Sequence, residues 1–325
     1  VKDVEQPYKC KYCDIPEDEK PDMIRSRLTE CQTELKNFQE IIRYVIPTSG
    51  EIPSLPGIDM YGRSIPINGL VGGDHIIYVD FNRRYDLDRH ISEAESQGRK
   101  SVAEKLRLCK NKAGMLLADV SGHKITDSVL AAMLHQAFLL GVQYELKNNG
   151  EISTDLFENI NTRFFHSSSQ FKYITMIYGE ISQLGHFRFL SAAHPPPIVF
   201  SREFNRIVSI GAERMVHFPP IGSMPSAGNW EARNLTRKSP LKKERYSVLE
   251  IHLMGQGDIL VLFSDGLSEH VNDQEDYYFP RRLEEVLKRS ADGRAEEIFE
   301  MVRQDMVDFG PLQDDTSFIV IKKQF

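Results

Sequence analysis

Apolar positions follow different rhythms in successive parts of the chain. Ile24, Leu28, Cys31, Leu35, Phe38, Ile42 and Val45 recur at steps of 4, 3, 4, 3, 4 and 3, the a/d spacing of a heptad seam. The pattern predicts a coiled-coil-like helix over 22–47, stopped at Pro47. An amphipathic helix lying on its own domain usually carries a wider stripe, so the narrow seam predicts pairing with a second copy. Residues 1–21, with Pro7, Pro16 and Pro21 among charges, predict a linker or the tail of an upstream region.

A second region, 48–325, alternates strand and helix signals. From Gly50 to Asn68 prolines and glycines punctuate an extended segment with turns. GDHIIYVDF and AGMLLADV are strand-like and flank a charged stretch whose helical core, ISEAESQGRKSVAEKL, has the character of an insertion. Apolar spacing from Thr126 to Lys147 predicts a long buried helix, followed by another over 154–166. FKYITMIYGEI, HFRFLSAA and PPIVFS predict an antiparallel meander, and YSVLEIHL and DILVLF continue it. Helices over 281–289 and 295–308 precede the last strand, TSFIVIK. Strands and paired helices in this order predict an α+β domain whose sheets are covered by helices on their outer faces.

Composition narrows the classes. A chain of 325 residues that is 41% apolar and 27% charged has the profile of a folded globular protein and needs no disulfide framework. The net charge of −7 speaks against non-specific nucleic-acid binding. Apolar runs such as LLADV and DILVLF fall short of the roughly 18 residues that span a bilayer, so no membrane span is expected. Cys10 and Cys13 form a CxxC pair without the second half of a zinc ribbon, which predicts reduced thiols and a cytoplasmic protein. Two basic insertions stand out, 82–112 with nine Lys+Arg against five Asp+Glu and 231–246 with six against two. They read as docking elements for an acidic phosphoprotein, as covers for a site, or as solvated excursions.

The candidate chemistry lies at strand edges. Asp74 stands in VGGDH, Asp119 in LLADVSGH, Asp265 in LVLFSDGLSE, and Asp314 and Asp315 in LQDDTSFIVI. Singly, an Asp-Gly after a strand is an ordinary turn. Together, carboxylates that follow buried apolar runs need a counter-charge. Oxygen ligands without Cys or His at ligand spacing select Mg²⁺ or Mn²⁺, and several Asp around two such ions suit in-line attack of water on phosphorus.

GGD, DVSGH, AAHPPP, PPIGSMP, LFSDGLSE and DDTSFIVI, in that order, resemble the SpoIIE-type (RsbU-like) branch of the PPM metal-dependent serine/threonine phosphatases. The resemblance runs over 39–323. It implies a PPM-phosphatase-like β-sandwich flanked by helix pairs (αββα), with two divalent cations at one end. It further implies that Asp119 bridges the ions, that the Val120 carbonyl assists, that Asp74 holds one ion, and that Asp265 and Asp314 hold the other. Asp315 would hold nearby waters or accept backbone hydrogen bonds. Water between the ions would attack phosphoserine or phosphothreonine of a STAS-type anti-sigma-factor antagonist, and helix 22–47 would link an upstream sensor or receiver domain to the enzyme.

Three positions depart from the family pattern: Lys124 stands where Gly is usual, His75 where an aromatic is usual, and Ser317 where Thr is common. Lys124 is a candidate phosphate contact, and His75, His123 and His194 are candidate acids, although histidines in such places are more often packed and hydrogen-bonded. The competing readings are a catalytically silent phosphatase-like module and a two-metal phosphodiesterase or nuclease.

Overall fold

The computed structural model describes residues 20–45, 52–67, 72–122, 127–167, 172–208, 210, 217–227, 241–251 and 255–324. Cys10, Cys13, His123 and Lys124 lie outside the described residues, as does most of the basic segment 231–246. The helices are α1 Lys20–Val45, α2 Phe81–Arg84, α3 Leu87–Ser96, α4 Lys100–Cys109, α5 Asp127–Asn149, α6 Thr154–Ser167, α7 Asp265–Ser268, α8 Arg281–Ser290 and α9 Ala295–Phe309. The strands are β1 Ile58–Ile65, β2 His75–Val79, β3 Lys112–Val120, β4 Ile174–Ser182, β5 Phe187–Ala192, β6 Ile198–Ser201, β7 Arg206–Val208, β8 Leu249–Ile251, β9 Ile259–Phe263 and β10 Thr316–Lys323.

The strands form two antiparallel sheets, β1-β10-β9-β6-β7 and β2-β3-β4-β5-β8. Alternation along each strand assigns its two faces. In β10, Ile319 and Ile321 turn inward and meet Met115, Leu117 and Ile177 of the other sheet, while Phe318 and Val320 turn outward onto α8 and α9. In β3, Leu116, Ala118 and Val120 face α5 and α6, packing near Leu134, Phe138 and Phe164. The result is the expected αββα layering, with sheets stacked face to face and helices outside both.

Two details differ from the sequence pattern. The helical core of insertion 82–112 is not one helix: Gly98, at φ +73, turns the chain between α3 and α4, a conformation glycine adopts without a Cβ penalty. This insertion is anchored rather than solvated. Ala94, Ala103 and Leu106 are fully buried, and Arg99 Nη1 donates to the Lys147 carbonyl at 3.0 Å at the end of α5. The second difference concerns α5, which is long and apolar enough to cross a membrane by length and composition. Polar residues such as His135, Gln136, Gln143 and Glu145 interrupt its apolar stretch. Here it packs as a core helix, with Ala131, Leu134, Phe138, Val142 and Leu146 buried against the sheet and its helical neighbours.

Helix α1 divides into two parts. Ile42 is buried and Phe38 packs beside it in the same core as α5, whereas Ile24, Leu28 and Leu35 are 63%, 57% and 46% exposed. The last turns of the heptad seam therefore belong to the domain itself, and the first turns leave their apolar side uncovered.

Candidate metal centre

Strand register assembles the acidic site. β2 and β3 run antiparallel with His75 opposite Ala118, so the flanking residues Asp74 and Asp119 fall side by side at the sheet's end. In the facing sheet Phe318 of β10 lies opposite Phe263 of β9, which brings Asp265, two residues beyond Phe263, next to the turn holding Asp314 and Asp315. Ser264 ties the two sheets together. Its hydroxyl donates to Asp74 Oδ2 at 2.6 Å and accepts from the Ser317 amide at 2.9 Å.

The glycines in these motifs permit close approach. A Cβ on Gly73 would stand 2.6 Å from the Gly122 carbonyl oxygen and 2.9 Å from that of Val120, so the GGD turn lies directly against the backbone that follows Asp119. A Cβ on Gly266 would stand 2.1 Å from the Asp315 carbonyl oxygen, which fixes why Gly follows Asp265. Asp315 has a structural partner set: Oδ1 accepts from the Ile67 amide at 2.8 Å and Oδ2 from the Gly73 amide at 2.7 Å. Of the two roles expected for it, the structure displays acceptance of backbone hydrogen bonds. Asp314 Oδ1 in turn accepts from the Asp315 amide at 2.8 Å.

Electrostatics register the crowding. Burial, then the charge of Asp119, pushes Asp74 well above the usual carboxylate range. Burial, then the charges of Asp265 and Asp314, pushes Asp119 up to about 7, and Asp265 is raised by burial and by Asp314. Among the described residues, none of these carboxylates pairs with Lys, Arg or His. Among the described residues no group of three or more acidic, His or Cys side chains is set to hold a metal ion as placed. The aspartates are neighbours, and a cleft of about 170 Å³ opens between Asp265, Glu269, Gln313 and Asp314.

The histidines behave as packed residues. His75 Nε2 and His135 Nδ1 share a hydrogen bond of 2.8 Å, and burial lowers His75 to about 3 and His135 to about 4. His194 Nδ1 meets Thr175 Oγ1 at 3.0 Å, and burial lowers it to about 3. Neutral imidazoles at ordinary pH are poor proton donors.

Sequence reasoning missed Lys172. Its ammonium donates to the Ser121 carbonyl at 2.6 Å and pairs with buried Asp127 at 2.7 Å, tying the turn after Asp119 to the first turn of α5. No motif announces it, because its partners are distant in sequence. Ser264 was within reach of the sequence, since it immediately precedes Asp265 in LFSDGLSE.

The donor chemistry fits divalent cations. The carboxylates of Asp74, Asp119, Asp265 and Asp314 offer only oxygen, with excess negative charge and no thiolate or imidazole among them, which suits Mg²⁺ or Mn²⁺. The model for Stage II sporulation protein E (SpoIIE) matches residues 110–324, more than half of the chain. No curated protein matches by sequence. The fold is similar to the RsbU and RsbW domains of Rv1364c from Mycobacterium tuberculosis, at 15% identity and TM-score 0.57 over 86% of this chain and 63% of that one. It is also similar to the SiaA-PP2C domain of Pseudomonas aeruginosa, at 13% identity and TM-score 0.60 over 91% and 98%. A third similarity is to the PP2C phosphatase domain and regulatory fragment of SpoIIE from Bacillus subtilis, at 15% identity and TM-score 0.53 over 82% and 64%. The chain thus spans just under two thirds of the first and third of these.

Proposed function

The chain belongs to the SpoIIE family of PPM-type phosphatases, and from that premise we propose that it is an active metal-dependent protein serine/threonine phosphatase. The observation that carries this reading is the meeting of Asp74, Asp119, Asp265 and Asp314 at one end of the sandwich without a cationic partner among the described residues. In the proposal Asp119, Asp74, the Val120 carbonyl, Asp265 and Asp314 would together hold the divalent cations. Bound there, Mn²⁺ or Mg²⁺ would supply an activated water and neutralise charge on the phosphoryl group during in-line attack.

The chain's own residues would do the positioning. Ser264 orients Asp74 by its 2.6 Å bond, Asp315 holds the Gly73 amide, and Lys172 holds the Ser121 carbonyl, so that three segments present their oxygens at fixed places. Lys124 remains the proposed contact to the substrate phosphate.

The substrate class, by family resemblance, is a phosphorylated STAS-type anti-sigma-factor antagonist. The homodimer is proposed to form through the uncovered part of the α1 seam, Ile24, Leu28, Cys31 and Leu35, in a cytoplasmic protein. Hydrolysis of a phosphoserine or phosphothreonine peptide with and without Mn²⁺, alongside a bis-aryl phosphate, tests the activity. Metal-dependent release of phosphate from the monoester supports the proposal. Faster cleavage of the diester would favour a phosphodiesterase, and no cleavage of either would favour a silent module.

A further inference from the structure

A groove of about 480 Å³ runs between the α2–α3 turn and the outer face of α5, a volume within the range that small-molecule sites occupy. One wall carries two guanidinium groups, Arg84 and Arg89, with Tyr85 and His90 beside them. Arg84 makes no ion pair among the described residues, and Arg89 spends only its Nε on exposed Glu93 at 3.3 Å. His90 is 8% exposed, yet its Nδ1 and the Tyr85 hydroxyl are buried polar atoms without a hydrogen-bond partner in the protein. Those two atoms are closed off from the groove itself, so it is the two exposed guanidinium forks on its surface that favour an oxyanion.

The opposite wall has different chemistry. Gln136 and Gln143 project from α5 two turns apart, with Leu139 and Leu140 between them; Leu140 is 71% exposed. Two amides and an apolar strip fit a heterocycle or sugar better than a bare ion. The one carboxylate in the lining, Asp86, is engaged at Oδ1 by the Arg89 amide at 3.1 Å.

We propose that this groove binds a small organic phosphate monoester of nucleotide size, its phosphate on Arg84 and Arg89 and its organic part against Gln136, Gln143 and Leu140. The site is separate from the acidic centre and stands whether or not the phosphatase reading holds.

Calorimetric titration of the full chain in EDTA, with adenosine and guanosine monophosphate, ribose phosphate, inorganic phosphate and adenosine, tests the proposal. At least one organic monophosphate is expected to saturate with Kd below about 1 mM, inorganic phosphate to bind more weakly, and adenosine not to bind. Arg84→Gln with Arg89→Gln should weaken that binding by about tenfold or more, and Gln143→Glu, a surface change on the other wall, should weaken it too. Asp119→Asn should leave it unchanged, which separates it from the acidic centre. Failure of every organic monophosphate to saturate, or equal affinity in the arginine and Gln143 variants, would overturn the assignment.

Discussion

Two buried acidic sites in this protein solve the same electrostatic problem in opposite ways. On α6, Glu158 is 4% exposed, and its carboxylate receives the ammonium of Lys243 at 2.8 and 3.0 Å and the Tyr246 amide at 2.6 Å. The Lys243 side chain is fully buried and also sits over the Tyr246 ring at 3.4 Å from its centroid. Asn161, one turn along α6, receives the Gly222 amide and donates to the Met224 carbonyl and Ser226 hydroxyl. Here charge is spent on architecture, since the pair pins both flanks of segment 228–240 to the helix. At the sandwich end, Asp74 is buried with half-buried Asp119 beside it, and no cationic partner stands by them among the described residues. A carboxylate cluster without a cationic partner among the described residues is suited to partners that bind and can be exchanged, whereas one that carries its own lysine is not.

Removing charge from each site should therefore have opposite signs. Asp119→Asn or Asp265→Asn is expected to lower phosphatase activity by about 10³-fold or more, since an amide neither balances nor strongly binds a divalent ion. Thermal unfolding in EDTA should show these variants at least as stable as the parent, because each removes repulsion. Near-parental activity in both would break the comparison.

Lys243→Met should instead destabilise the fold by about 3–5 kcal/mol, leaving Glu158 buried and unpaired. Adding Glu158→Gln should restore most of that loss, because the neutral side chain still accepts from the Tyr246 amide. Urea unfolding of the single and double variants reads both numbers, and a single variant as stable as the parent would remove the architectural role.

The third expectation concerns pH. Asp119 titrates near 7 in the fold against 3.8 for the ordinary group, so its contribution to metal-free stability is present below about pH 4 and lost as pH rises through about 7. His75, His135 and His194 are depressed and act the other way, losing stability as pH falls below about 6.5 toward 3. They are common to both metal states, so the rise in melting temperature on adding Mn²⁺ isolates the carboxylates. That rise is expected to be several degrees at about pH 8 and to vanish toward about pH 5, where protons compete with the ion. A shift independent of pH would contradict the assignment.

The smallest effect on the domain itself belongs to α1. Leu28→Glu with Leu35→Glu should shift sedimentation from dimer to monomer while the melting temperature moves by about 2 °C or less, because both side chains lie outside the core. Ile42 is unsuitable for this test, since it is buried against the domain. A parent chain that sediments as a monomer at micromolar concentration would sink the pairing proposal.

Much of this was legible in the sequence, and the reasons are local. The alternation in TSFIVIK and DILVLF marks which face of each strand turns inward, because side-chain period fixes face. The five aspartates were visible because each stands at or beside a strand end, Asp119 and Asp265 after the apolar runs of β3 and β9, and Asp74, Asp314 and Asp315 just before β2 and β10. Their mutual placement was not, since it depends on the register that sets Asp74 beside Asp119 and on a serine bridging two sheets. The Lys243–Glu158 clamp was equally hidden. Lys243 lies in what the sequence presents as one basic stretch, and only packing separates a buried lysine from its solvated neighbours. The heptad spacing likewise did not reveal that Phe38 and Ile42 pack on α5, because one apolar seam serves an internal or an external partner equally well.

Mn²⁺ titration followed by electron paramagnetic resonance tests the central claim most directly, since free and bound ion are counted separately. The parent chain is expected to bind about two ions at micromolar to millimolar concentration, and Asp119→Asn to lose most of that binding while remaining folded. A parent chain that binds no Mn²⁺ over that range, or a variant that binds it equally well, would contradict the account.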